Sequence, residues 1–415
     1  MAQAQLDQLL RAPARVFDYQ RLVDGLVFIL VASSAISLFE PSPYDLLAPF
    51  APLLWALGGF TIHRAALPFA LLLLAYCLIG FLALTPYWRD VDSITYQPLS
   101  TYLMMMGVFF ALFLAQRSER RADVILSALT LGALIAAVCG LLGYFNVAGL
   151  GETFTLYDRA RGSFKDPNVL GPYLTPGVLN LLQKLMLGRA RHLFISVAAL
   201  AIILAGEFVT FSRGAWGVTL FSIALMTGCT YAQADNPRLK RRIMTTAIIA
   251  AIVGALVVLI LLAQDSTREF FLQRANATQD YDEGETGRFG NQARSLPMLL
   301  DRFWGFGPWR FRLFFGLEAH DSYITAFAND GWLGGLVYVL IAASSVFVGS
   351  RLMTRASPYR TRAQIFAPVL ISYFALAFVI DIDHWRHFPL LMGAVWGLEA
   401  ARQKWEARAH ARSVL

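Results

Sequence analysis

Arginines and an imidazole recur at the edges of apolar runs along this chain. Arg161 and Lys165 lie in Arg161-Gly162-Ser163-Phe164-Lys165-Asp166-Pro167-Asn168, and Arg213 in Thr210-Phe211-Ser212-Arg213-Gly214-Ala215-Trp216. Arg288 opens an amphipathic stretch that runs to Phe303. Arg310 follows Trp309, His320 precedes Asp321-Ser322, and Arg386 stands in Asp381-Ile382-Asp383-His384-Trp385-Arg386-His387. Guanidinium groups recognise phosphate through paired hydrogen bonds and keep their charge in a low-dielectric setting. A neutral imidazole takes up a proton near pH 7. Each residue also has a plainer reading. Arginine at the end of an apolar run serves as a snorkelling anchor, and a loop arginine is ordinarily solvated. Asp321 and Ser322 suit a helix N-cap, which leaves His320 beside it as a bystander.

The elements that must position these groups are membrane spans. The chain has 415 residues, of which 57% are hydrophobic and 15% charged. A soluble domain carries about 25% charged residues. Here the apolar residues fall into long blocks parted by short charged segments, and a span needs about 20 residues to cross the hydrocarbon core. The pattern predicts an all-α polytopic membrane protein, one membrane domain over 1–415. Twelve spans are expected, starting near Leu22, Leu46, Ala66, Leu99, Asp123, Val169, Leu193, Gly214, Ile243, Ser322, Ile365 and Phe388. The second is the weakest, being short and broken by Pro49 and Pro52.

The net charge of +7 would suit a nucleic-acid binder, but Lys and Arg beside spans mainly set orientation. With the N-terminus inside and strict alternation, 22 of the 35 Lys and Arg fall inside, among them Arg11, Arg15, Arg117–Arg121, Arg238–Arg242 and the C-terminal group. Seven of the 13 left outside sit in one long loop, 264–320. That distribution obeys the positive-inside rule and puts both termini in the cytoplasm. It also gathers Arg161, Arg213, Arg288, His320 and Arg386 on the outer face. Cys77, Cys139 and Cys229 fall within apolar blocks and have neither disulfide nor metal-ligand spacing. Gly305-Phe306-Gly307-Pro308 follows no strand and reads as a turn, so no phosphate loop serves the inner face. The acidic run Asp280-Tyr281-Asp282-Glu283-Gly284-Glu285 lacks the ligand spacing of a calcium loop. The outer arginines would suit a lipid diphosphate leaving group, and the imidazole a sugar hydroxyl nucleophile.

At these residues the sequence resembles the O-antigen ligase and polysaccharide polymerase superfamily. The likeness rests on Arg161-Gly162-Ser163-Phe164 with Pro167-Asn168, on Phe211 to Trp216, and on Gly287-Arg288-Phe289 through Gly305-Phe306-Gly307. It continues in His320-Asp321-Ser322-Tyr323 followed by Asp330-Gly331-Trp332-Leu333-Gly334, and in Asp383 to Phe388. It covers roughly Gly140 to the last span. The resemblance implies a C-type glycosyltransferase fold in a bacterial inner membrane, with a large periplasmic loop bearing short helices. It implies transfer of a glycan en bloc from undecaprenyl diphosphate to an acceptor hydroxyl, on lipid A-core or on a second lipid-linked glycan, with no cofactor and no metal. Arg213 and Arg288 would hold the diphosphate and His320 would act as base. Arg161, Lys165, Arg310, Asp321 and Arg386 are the expected substrate-binding helpers. The family's usual residue after the histidine is Asn, and here it is Asp321. A transporter or flippase of polyprenyl-linked glycans would share the spans and outer arginines, but should show pseudo-symmetric halves, and no repeat is visible.

Overall fold

A computed structural model describes residues 19–59, 61–274, 282 and 284–413. The described residues are mostly helical, and the strands among them form one short hairpin in which Thr155–Leu156 pairs with Arg159–Ala160. Among the described residues, six helices are long and apolar enough to cross a membrane: Arg64–Tyr87, Val91–Leu114, Ser118–Tyr144, Arg213–Ala232, Pro237–Leu262 and Ser322–Thr354. They coincide with the expected spans that start near Ala66, Leu99, Asp123, Gly214, Ile243 and Ser322. The Pro237–Leu262 helix is the plainest case. Its apolar window has a mean hydropathy of 2.8 and none of it is buried in the protein. Leu259 and Ile260 are 62% and 71% exposed, which a helix apolar on every side tolerates only against lipid.

The remaining expected spans are also helical, but shorter or more polar. Tyr19–Ser33, Leu193–Phe208 and Arg360–Leu376 have 15, 16 and 17 residues. Pro167–Met186 is buried along nearly its whole length and holds Pro172 and Pro176. His387–Ser413 turns polar in its second half. The segment around Leu46 forms two short helices, Pro43–Leu47 and Phe50–Leu57. Ala48 and Pro49 between them keep right-handed helical backbone, so the break comes from amides that Pro49 and Pro52 cannot supply.

These helices form one bundle with two chemically distinct ends. At one end Arg121, fully buried, pairs with Asp24, and Arg362 pairs with Glu119 and Asp123. Arg402 pairs there with Glu399. The helices starting at Pro167, Arg213, Ser322 and His387 all begin at the opposite end, where a cavity opens. The His387–Ser413 helix lies tight on Val91–Leu114 through glycines: a Cβ on Gly393 would meet the Gly107 carbonyl at 2.4 Å, and one on Gly397 the Ala111 carbonyl at 2.6 Å. Small residues four apart let two backbones approach in this way, and the contact anchors the 381–387 turn above it.

Candidate functional site

The cavity has a volume of 1190 Å³ and is lined by Arg213, Arg288, His320, Lys165 and Arg386 among others. Arg213 is the first residue of its helix, following Ser212, whose hydroxyl caps the amide of Ala215 at 3.4 Å. Arg288 is likewise the first residue of Arg288–Leu300. Two helix N-termini therefore add their partial positive charge to two guanidiniums.

One carboxylate answers both. Asp282 sets Oδ1 at 2.8 Å from an Arg288 guanidinium nitrogen and Oδ2 at 3.4 Å from one of Arg213. At 1% exposure it is a buried anion bridging two cations. Arg288 also donates to the Val379 carbonyl at 3.2 Å, which ties it to the 377–386 connection. Within the acidic run, Asp282, Gly284 and Glu285 are described, while Asp280, Tyr281 and Glu283 lie outside the described residues. The pairing is not visible in the sequence, because the partners of Asp282 are 69 and 6 positions away and only the fold brings them together. Asp282→Asn keeps the shape and removes the resident anion. It should tighten binding of inorganic pyrophosphate about tenfold, roughly 1.4 kcal/mol, as read by calorimetry on the purified protein. Unchanged affinity would mean that the carboxylate does not compete for this seat.

His320 lines the same cavity with a backbone φ of 50°, in the left-handed region. Burial, then the nearby Arg288 charge, hold its imidazole below the usual 6.5, so it is neutral at pH 7. Asp321 sits directly after it but is engaged elsewhere: its Oδ1 accepts the amides of Tyr323 at 2.8 Å and Ile324 at 3.0 Å. It is the N-cap of Ser322–Thr354, and burial pushes its carboxyl up to about 6. The 320–322 segment is tied to the 377–382 connection. The Ser322 amide donates to the Ala377 carbonyl at 2.8 Å, and the Ile382 amide to Ser322 Oγ at 2.8 Å.

The other expected helpers divide. Lys165 reaches the cavity wall in an ion pair with Glu40 at 2.7 Å. Arg386 reaches it held by both oxygens of Asp45, at 2.9 and 2.7 Å. Arg161 does not line the cavity; it donates to the carbonyls of Thr153 at 3.2 Å and Glu152 at 3.4 Å. Arg310 does not line it either, and pairs with Asp90 while stacking on Tyr87 at 4.2 Å.

Three lining groups carried no sequence signal. Arg159 is buried beyond a hairpin turn in which Tyr157 and Asp158 both have positive φ, and it donates to the Thr210 carbonyl and Asn168 Oδ1, each at 2.7 Å. Glu318 is pushed up to about 7 by burial and by Asp381. Asp381 is pushed up to about 6 by burial and by the neighbouring Asp383. The cavity thus opposes guanidiniums and helix N-termini to proton-accepting groups, a neutral imidazole and two carboxyls that titrate near neutrality. Comparison with protein-family models and with curated proteins finds no match for this chain.

Proposed function

We propose that the protein is a membrane glycosyltransferase that moves a glycan from a polyprenyl diphosphate, of the undecaprenyl type, to a sugar hydroxyl. The observation that carries this reading is that Arg213 and Arg288, joined through the buried Asp282, both line a cavity that also holds a neutral imidazole. A bridging carboxylate marks where two guanidiniums can share an anion, and a diphosphate offers more oxygens to the same pair. His320 takes the proton of the acceptor hydroxyl as its oxygen attacks the anomeric carbon. The bond to the diphosphate oxygen breaks on the opposite face, with inversion. Arg213 and Arg288 stabilise the charge that gathers on the leaving group. Lys165 and Arg386 line the route for donor or acceptor. The acceptor is lipid A-core, as in a ligase, or a second lipid-linked glycan, as in a polymerase.

The topology proposed with this function has twelve crossings, including the broken helix near Leu46, in a bacterial inner membrane. Both termini are cytoplasmic, and the cavity and the 264–320 loop are periplasmic. Support comes from the sorting of charge: the basic clusters around Arg117–Arg121, Arg238–Arg242 and Arg351–Arg362 belong to the end away from the cavity.

The test is direct. Purified protein in lipid nanodiscs, given an undecaprenyl-diphosphate-linked glycan and an acceptor, should release free undecaprenyl diphosphate in step with acceptor glycosylation. Movement of intact donor across a bilayer with no bond broken would instead identify a transporter.

A further inference from the structure

His320 has an unusual backbone for the residue asked to aim an imidazole. A non-glycine residue at φ 50° pays a conformational cost, and it persists only where its surroundings hold it. The obvious orienting neighbour, Asp321, is occupied in capping the Tyr323 and Ile324 amides. The hold comes from farther along the chain. Asp381 Oδ2 accepts the His320 amide at 3.0 Å, and its other oxygen accepts the Thr325 hydroxyl at 2.6 Å. From the opposite side Gln292 Nε2 donates to the Ala319 carbonyl at 2.8 Å and to the His320 carbonyl at 3.4 Å. The peptide units flanking the strained residue are therefore gripped from two elements, the 381–387 turn and the Arg288–Leu300 helix.

We infer that Asp381, assisted by Gln292, is a positioning residue that locks His320 in its left-handed backbone and so points the imidazole into the cavity. The inference rests on the reading of His320 as base. Asp381 acts on the amide, through acceptor geometry. An amide oxygen can take its place, with the new NH₂ donating to Thr325 Oγ1. Removing the acceptor lets the backbone relax to ordinary φ and carries the ring away from the reacting hydroxyl, and a misplacement of about 1 Å costs on the order of 100-fold in rate.

The experiment compares His320→Ala, Asp381→Ala, Asp381→Asn and Gln292→Ala with the wild type in nanodiscs, using the undecaprenyl-diphosphate-linked donor. Asp381→Ala should lower kcat about 100-fold with the donor KM little changed, while Asp381→Asn recovers most of kcat. Gln292→Ala should lower kcat in the same sense by about tenfold, and it carries the test with Asp381→Asn should Asp381→Ala not fold. In the His320→Ala background the Asp381→Ala change should add no further loss. If His320→Ala turns over normally, the assignment of the base fails. If His320→Ala is inactive while Asp381→Ala keeps its kcat, the positioning inference alone is overturned. Failure of Asp381→Asn to recover activity, or a loss that adds to that of His320→Ala, overturns it as well.

Discussion

His320→Ala should lower turnover of a lipid-linked donor by about 10²- to 10⁴-fold, the range expected when a positioned proton acceptor is removed. The pH profile should change with it. A base works unprotonated, so activity falls as pH drops through its pKa. Burial and Arg288 keep the His320 imidazole below 6.5, so the acid limb of kcat/KM in the wild type should lie below pH 6.5, with a plateau at neutrality. Glu318, two residues earlier and titrating at about 7, is the rival proton acceptor. Were Glu318 the base, the limb would lie near pH 7 and survive in His320→Ala. A profile of kcat/KM from pH 5 to pH 8 for both proteins separates the two (the pH limits are about those over which imidazoles titrate).

The second large effect belongs to the anion seat. Arg288→Ala and Arg213→Ala should each lower kcat about 10²- to 10³-fold, as removal of a donor to developing charge does elsewhere. Because that charge grows in the transition state, kcat should fall more than donor KM rises. Lysine at either position keeps the charge but loses the planar fork, so it should restore activity only in part. If both residues serve one leaving group, the double alanine variant should fall short of the product of the two losses. Arg288→Ala also breaks the contact with Val379, so its thermal stability should be read beside its kinetics. If Arg213→Ala turned over at the wild-type rate, that guanidinium would leave the mechanism.

How much of this could be read from the chain alone follows from which interactions are local. Apolar blocks between basic clusters determine the helices, and all twelve expected segments are helical, six of them long and apolar enough to cross a membrane. Span count is harder where helices pack inside protein, because Pro167–Met186 needs no continuous apolar surface once it is surrounded by other helices. Arg213, Arg288 and His320 could be put on one face from the order of spans and charges alone, and all three line the cavity. Their partners could not be read in this way. Asp282 reads as solvated in a polar run, and Asp381 is 61 positions from the amide it holds. Arg161 and Arg310 have the right residue type, yet they bind the backbone and Asp90; type and neighbourhood in sequence do not say which way a side chain turns.

The Ser322–Thr354 helix contains one residue that breaks it, Gly331, with φ 68° and ψ −166°. The 303–307 segment fits into that break. The Trp332 amide donates to the Phe303 carbonyl at 2.9 Å, and the Phe306 amide to the Ala328 carbonyl at 2.6 Å. A Cβ on Gly331 would lie 2.3 Å from the Phe303 carbonyl, in a conformation that side chains already avoid. In a saturation-mutagenesis screen scored for function, position 331 would therefore tolerate glycine alone, as sharply as an active-site residue, although it does not line the cavity. Intolerance there would report a seam between loop and helix, and a map of essential positions would need a folding readout beside it before Gly331 was counted with His320.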